Sequence, residues 1–139
     1  VSFTNDRDFG EAATNALARW FSTLGLAVEF ANGNFPAWDL SVSGTVEIKR
    51  DRRAAETGNL FVECSAHGKP SGIITSKARA WAFVTGATAY LIGTEKLRAL
   101  LDTLRPASGP DGKAGYLLPV RLLGSLPYVK RANLAEFLT

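Results

Sequence analysis

Between Asp8 and Leu24, the apolar residues Phe9, Ala13, Leu17, Trp20, Phe21 and Leu24 recur at the spacing of a helix with one buried stripe. Gly25 follows where a helix C-terminus favours glycine. Asp8 and Glu11 stand at the first and fourth positions of a capping box. Ala27 to Ala31 reads as a short strand, and Asn32-Gly33-Asn34 with Pro36 as a turn. Apolar Leu40, Val42, Val46 and Ile48 then alternate with polar Asp39, Ser41, Glu47 and Lys49 about Ser43-Gly44, a hairpin pattern. Leu60 to Cys64 is a further strand, and Gly68-Lys69-Pro70-Ser71-Gly72 a loop. Thr75 or Ser76 can cap a short helix beginning Lys77-Ala78-Arg79. Trp81 to Thr85 and Thr88 to Ile92, joined at Gly86-Ala87, predict two strands, and the leucines between Glu95 and Leu104 predict a helix. Pro106 to Gly115 reads as a loop, Tyr116 to Leu123 as extended chain, and Ala132 to Leu138 as a terminal helix. Helices and strands interleave, which predicts an α/β fold around one mixed sheet.

A chain of 139 residues suffices for one domain, 1–139, with a core that needs no covalent staple. Cys64 is the only cysteine and His67 the only histidine, so neither an internal disulfide nor a structural zinc site is expected. No apolar run approaches the roughly 18 residues of a membrane span, and the first residues lack a basic-then-apolar secretory pattern. The expectation is a cytoplasmic protein with no membrane partner.

Charge is unevenly distributed. Residues 1–48 carry two basic and six acidic side chains, net −4, whereas residues 49–79 carry seven basic and three acidic, net +4. A cationic stretch following an anionic one suits a protein that brings carboxylates to a polyanion and holds that polyanion by its phosphates.

The hairpin carries the candidate chemistry. Residues two apart on a strand share a face, so Glu47 and Lys49 point one way and Ile48 the other. A two-residue turn at Ser43-Gly44 would pair Val42 with Thr45 and send Asp39 to the opposite face. A three-residue loop or a bulge would pair Val42 with Val46, set Ser41 opposite Glu47 and Asp39 opposite Lys49, and leave the four apolar residues together. Burial favours the second register. Two neighbouring carboxylates repel unless a cation lies between them, and Mg²⁺ suits such a pair because it takes few protein oxygens and leaves the rest to water and phosphate. A lysine beside them can orient an attacking water and offset charge developing on a phosphate.

Asp39 followed by Glu47-Ile48-Lys49 on a hairpin, behind the Glu11 helix and ahead of the Leu60 to Cys64 strand and a short helix, resembles the PD-(D/E)XK nuclease superfamily. The resemblance spans roughly residues 8 to 92. Ala37-Trp38-Asp39 stands where the family name has Pro-Asp, with Pro36 close by. The resemblance implies a restriction-endonuclease-like αβββαβ core and a metal-dependent endonuclease hydrolysing phosphodiester bonds in DNA. Likeness to small stand-alone members such as Holliday-junction resolvases and phage endonucleases implies a branched or flapped substrate. It further implies that Asp39, Glu47 and the Ile48 carbonyl hold Mg²⁺ or Mn²⁺, that Glu11 adds a helix carboxylate, and that Lys49 activates water. Arg50, Arg52, Arg53, Lys69, Ser76 and Lys77 would contact nucleic-acid phosphates, and Glu63 could reach the metal cluster from the next strand. A homodimer would follow if two strands are cut symmetrically. The alternative is a non-catalytic nucleic-acid-binding module on the same fold.

Overall fold

The computed structural model describes residues 6–23, 28–30, 40–42, 45–51 and 53–137. Helix α1 (Asp6–Thr23) begins two residues before the expected cap at Asp8, and strands β1 (Val28–Phe30), β2 (Leu40–Val42) and β3 (Thr45–Arg50) follow. The chain continues through the single turn α2 (Ala54–Thr57), β4 (Asn59–Ala66), β5 (Lys69–Pro70), β6 (Ala80–Thr85), β7 (Thr88–Gly93) and α3 (Thr94–Leu100). It ends with β8 (Arg105–Ser108), β9 (Lys113–Pro119), α4 (Val120–Ser125), β10 (Lys130–Asn133) and a 3-10 turn over Leu134–Phe137.

The fold is mixed α/β, as expected, but it holds two sheets instead of one. The larger has the order β1-β2-β3-β6-β7-β10 and the smaller β5-β4-β9-β8. Strands β3 and β6 run parallel, and the other described pairs are antiparallel. A parallel pair requires a crossover, and here the crossover carries α2, β4 and β5, so that β4 leaves the first sheet and founds the second.

The run Trp81-Ala82-Phe83-Val84 shows why the central strand β6 is almost continuously apolar: both its faces are buried. Ala82 and Val84 pack with Val46 and Ile48 of β3 against Ala13, Leu17, Trp20 and Phe21 of α1. Trp81 and Phe83 face the other way, into a second core built from Leu60, Val62 and Leu118 of the smaller sheet with Leu97, Leu101 and Leu123. The stripe read from the sequence is therefore the α1 face of the first core, and the second core closes the opposite side.

The hairpin β2-β3 is present, with its closing pair moved. Ser41 pairs with Thr45 and Leu40 with Val46, where Val42 with Val46 and Ser41 with Glu47 were expected. β-Branched Thr45 joins β3, so the turn closes one residue earlier on each strand. No helix starts at Lys77: residues 72–75 form turns and 76–78 have no regular structure. Residues 69–70 of the expected loop form β5, which pairs with β4.

The segment 106–115 is a hairpin. Asp111 and Gly112 both adopt positive φ (57° and 71°), and the paired strands β8 and β9 tolerate Pro106 because β8 borders only β9 among the described residues. Extended chain stops at Pro119, whose fixed φ precedes the first turn of α4. The C-terminal helix is instead β10, paired with β7, and a 3-10 turn.

Gly115 sits opposite the irregularity in β4 between Glu63 and Ser65, where any Cβ would fall on the Val62 carbonyl. Gly115→Ala is expected to destabilise the protein by about 1–3 kcal/mol through forced backbone displacement. Urea unfolding checks this, and an unchanged midpoint would contradict the close approach. Among the described residues, no helix is long and apolar enough to cross a membrane.

Candidate active site

Strand β3 buries one face and opens the other. Val46 and Ile48 are 5% and 3% exposed in the α1 core, whereas Glu47 and Lys49 alternate with them and face the side occupied by the smaller sheet. Parallel pairing sets Glu47 beside Trp81 and Lys49 beside Phe83, at the margin of the second core. Lys49 Nζ lies 3.0 Å from Glu47 Oε1 and 5.4 Å from the centre of the Trp81 ring. The ammonium is thus held at the carboxylate and over the indole ring.

The two residues line a cleft of about 640 Å³ between the sheets. Its opposite wall is Phe61 and Glu63 of β4 with Lys113 of β9, and its rim is the turn segment carrying Ser76 and Lys77. Glu63 is already engaged: Ser71 Oγ donates to its Oε2 at 2.7 Å, and Lys113 Nζ lies 3.5 Å from its Oε1. The rim is fixed from several directions. Backbone N–H groups of Ser71 and Ile73 donate to the Cys64 and Glu63 carbonyls, and Trp81 Nε1 donates to Ser76 Oγ at 3.1 Å. The Arg98 guanidinium donates to the Ile73 carbonyl at 3.0 Å and the Ser76 carbonyl at 2.7 Å. Gly72, at φ 57°, is required where the segment crosses β4, because a Cβ there would overlap the Glu63 carbonyl.

Five residues singled out by sequence therefore meet in one cleft: Glu47, Lys49, Glu63, Ser76 and Lys77. Ser76 and Lys77 reach it from an irregular segment held by Arg98 and Trp81, so no helix N-terminus contributes to their position. Arg50 and Arg53 are exposed at and beyond the end of β3 and do not line the cleft, nor does Lys69 on β5. Asp51 between them turns back on the chain just ahead of α2, its Oδ1 accepting from the Arg53 and Ala54 N–H groups. Ile48 stands opposite Ala82 in the parallel ladder. Asp39, Arg52 and the side chain of Glu11 lie outside the described residues.

Lys113 and Arg98 escaped the sequence reading because segment 106–115 looked like a loop and residue 98 like one more charge on a helix. The Asp111-Gly112 dipeptide was the available signal for the β8-β9 hairpin. Burial, and then the Glu63 charge, push the Cys64 thiol above its usual range, away from the thiolate form that a nucleophile uses.

Among the described residues, no three His, Cys, Asp or Glu side chains come together as a metal-binding group. Mg²⁺ asks less, since one or two protein carboxylates suffice when water and phosphate complete its octahedron. Glu47, half-buried at the cleft wall, suits one of those positions. Neither the protein-family models nor the curated proteins compared with the chain match it.

Proposed function

We propose that the protein is a metal-dependent endonuclease that hydrolyses phosphodiester bonds in DNA, with the cleft beside β3 as its active site. The observation that carries this reading is the placement of Glu47 and Lys49 side by side on the open face of β3, in a cleft rimmed by Ser76 and Lys77. The order α1-β1-β2-β3 followed by a crossover to parallel β6 supports a restriction-endonuclease-like core. The departure is that the crossover carries a second sheet, with only the single turn of α2 as helix.

Glu47, with Asp39 and the Ile48 carbonyl as the resemblance implies, would hold Mg²⁺ or Mn²⁺, which would supply Lewis-acid stabilisation of the attacked phosphate. The remaining work falls to the chain's own groups. Lys49 holds the attacking water by a hydrogen bond from its ammonium and offsets charge that develops on the phosphate oxygens. Trp81 keeps that ammonium at the cleft wall, and its indole N–H fixes the Ser76 hydroxyl. Ser76 and Lys77 at the rim bind a backbone phosphate and set the scissile bond against β3. Arg98 acts through them as a positioning residue, because it ties the rim to α3.

The test is incubation of the full chain with labelled linear, nicked, flapped and four-way DNA and with single-stranded RNA, each with Mg²⁺, Mn²⁺ or chelator. Cleaved DNA with either metal and none with chelator is expected. Binding without cleavage under every condition would replace the enzyme with a nucleic-acid-binding module.

A further inference from the structure

A second hollow, of about 490 Å³, opens beside the cleft and shares Ser76 and Lys77 with it. Arg79, Lys96 and Arg98 extend its wall towards α3. Arg98 is engaged by Glu95 and by two carbonyls of the rim. Lys77, Arg79 and Lys96 are exposed, and among the described residues no carboxylate pairs with any of them. In the cleft, by contrast, Lys49 is matched by Glu47 and Lys113 by Glu63. Lys77, shared by cleft and hollow, thus begins a run of cations without a carboxylate partner among the described residues, which Arg79 and Lys96 continue along the hollow.

An open aromatic ring adjoins this charge. Lys96 Nζ lies over the Tyr128 ring, 5.2 Å from its centre, and Tyr128 is still 41% exposed, whereas the cleft's own Trp81 is 2% exposed and packed into the core. Cations for phosphates next to a solvent-exposed ring form the pairing that single-stranded nucleic acid uses, because an unpaired base can leave its stack and lie on the ring. A duplex keeps its bases stacked on each other and gains only the charge term.

We infer that this hollow, with the Tyr128 ring next to its Lys96, binds the single-stranded tail of a DNA substrate, with Lys77, Arg79 and Lys96 on its phosphates and Tyr128 under one base. The inference rests on the reading of the cleft as a DNA-cleaving site and narrows its substrate to DNA with an unpaired strand next to the scissile bond.

Fluorescence anisotropy of the full chain, in chelator, with a labelled oligothymidylate and a blunt duplex of the same length tests it. Replacing Arg79 and Lys96 together by Ala should reduce the slope of log affinity against log salt for the oligothymidylate by about 1.4, at roughly 0.7 per phosphate contact. Tyr128→Ala should weaken oligothymidylate binding about fivefold or more, Tyr128→Phe should restore it, and duplex affinity should stay at the wild-type value in both. Oligothymidylate affinity unmoved by Tyr128→Ala, or an equal loss on duplex, would overturn the inference. Since no metal is present, these outcomes do not depend on cleavage. Failure of the nuclease reading shows separately, as wild-type protein that forms no product with Mg²⁺.

Discussion

Lys49→Ala is expected to slow single-turnover DNA cleavage by about 10²-fold or more while changing DNA affinity far less. The ammonium sits at Glu47 in the cleft, where, on the proposed reading, its charge would matter most as negative charge builds on the attacked phosphate. A group whose contribution grows in the transition state lowers the rate constant at saturation when removed, and excess enzyme does not restore it. A lysine that served only as a phosphate anchor would behave in the opposite way, with weaker binding and near-complete rescue at saturating enzyme. Rates measured with Mg²⁺ and enzyme in excess separate the two, and near-equal rates would remove Lys49 from the chemistry. Its loss should leave the fold standing, because a partly exposed ion pair contributes only about 0–1 kcal/mol.

Glu47→Gln is expected to have the larger effect, reducing cleavage by about 10²- to 10⁴-fold across the whole range of Mg²⁺ concentration that supports the wild type. The amide keeps the size of the side chain and one oxygen, and removes the charge that the proposed divalent ion would need at this wall of the cleft. Val46 and Ile48, which anchor β3 in the α1 core, are untouched, so the melting temperature should stay close to the wild-type value. Wild-type cleavage by a purified, folded Glu47→Gln protein would show that the catalytic carboxylates lie elsewhere.

What could be read from the sequence was local periodicity set against burial. The α1 stripe, the alternation of β3 and the β6-β7 hairpin were legible because each has its apolar residues at the period of the element that buries them. The pairing of Glu47 with Lys49 on one open face followed directly from the two-residue period of β3. The second sheet was not legible. Nothing local marks β4 as departing from β3, since a strand reads alike whichever neighbour it takes, and that choice is made by long-range burial of Leu60 and Val62. Residues 106–115 were misread because prolines and glycines that normally break structure were serving an edge strand, a tight turn and a close backbone crossing. The hairpin register also moved, by inclusion of a single threonine in β3. With the second sheet unseen, the opposite wall of the cleft, and with it Lys113, could not be placed. Glu63 was visible as a candidate, but its engagement with Ser71 and Lys113 was not.

The central claim, that β3 presents a metal-dependent site to the cleft, is tested most directly by titrating Mn²⁺ into the isotope-labelled full chain and following backbone amide signals. The account predicts selective paramagnetic broadening of Glu47, Ile48 and Lys49 and of their ladder partners Trp81 to Phe83, with Ala107 and Arg131 unaffected, and loss of this pattern in Glu47→Gln. Uniform broadening, broadening centred on another part of the protein, or the same pattern in the variant would contradict it.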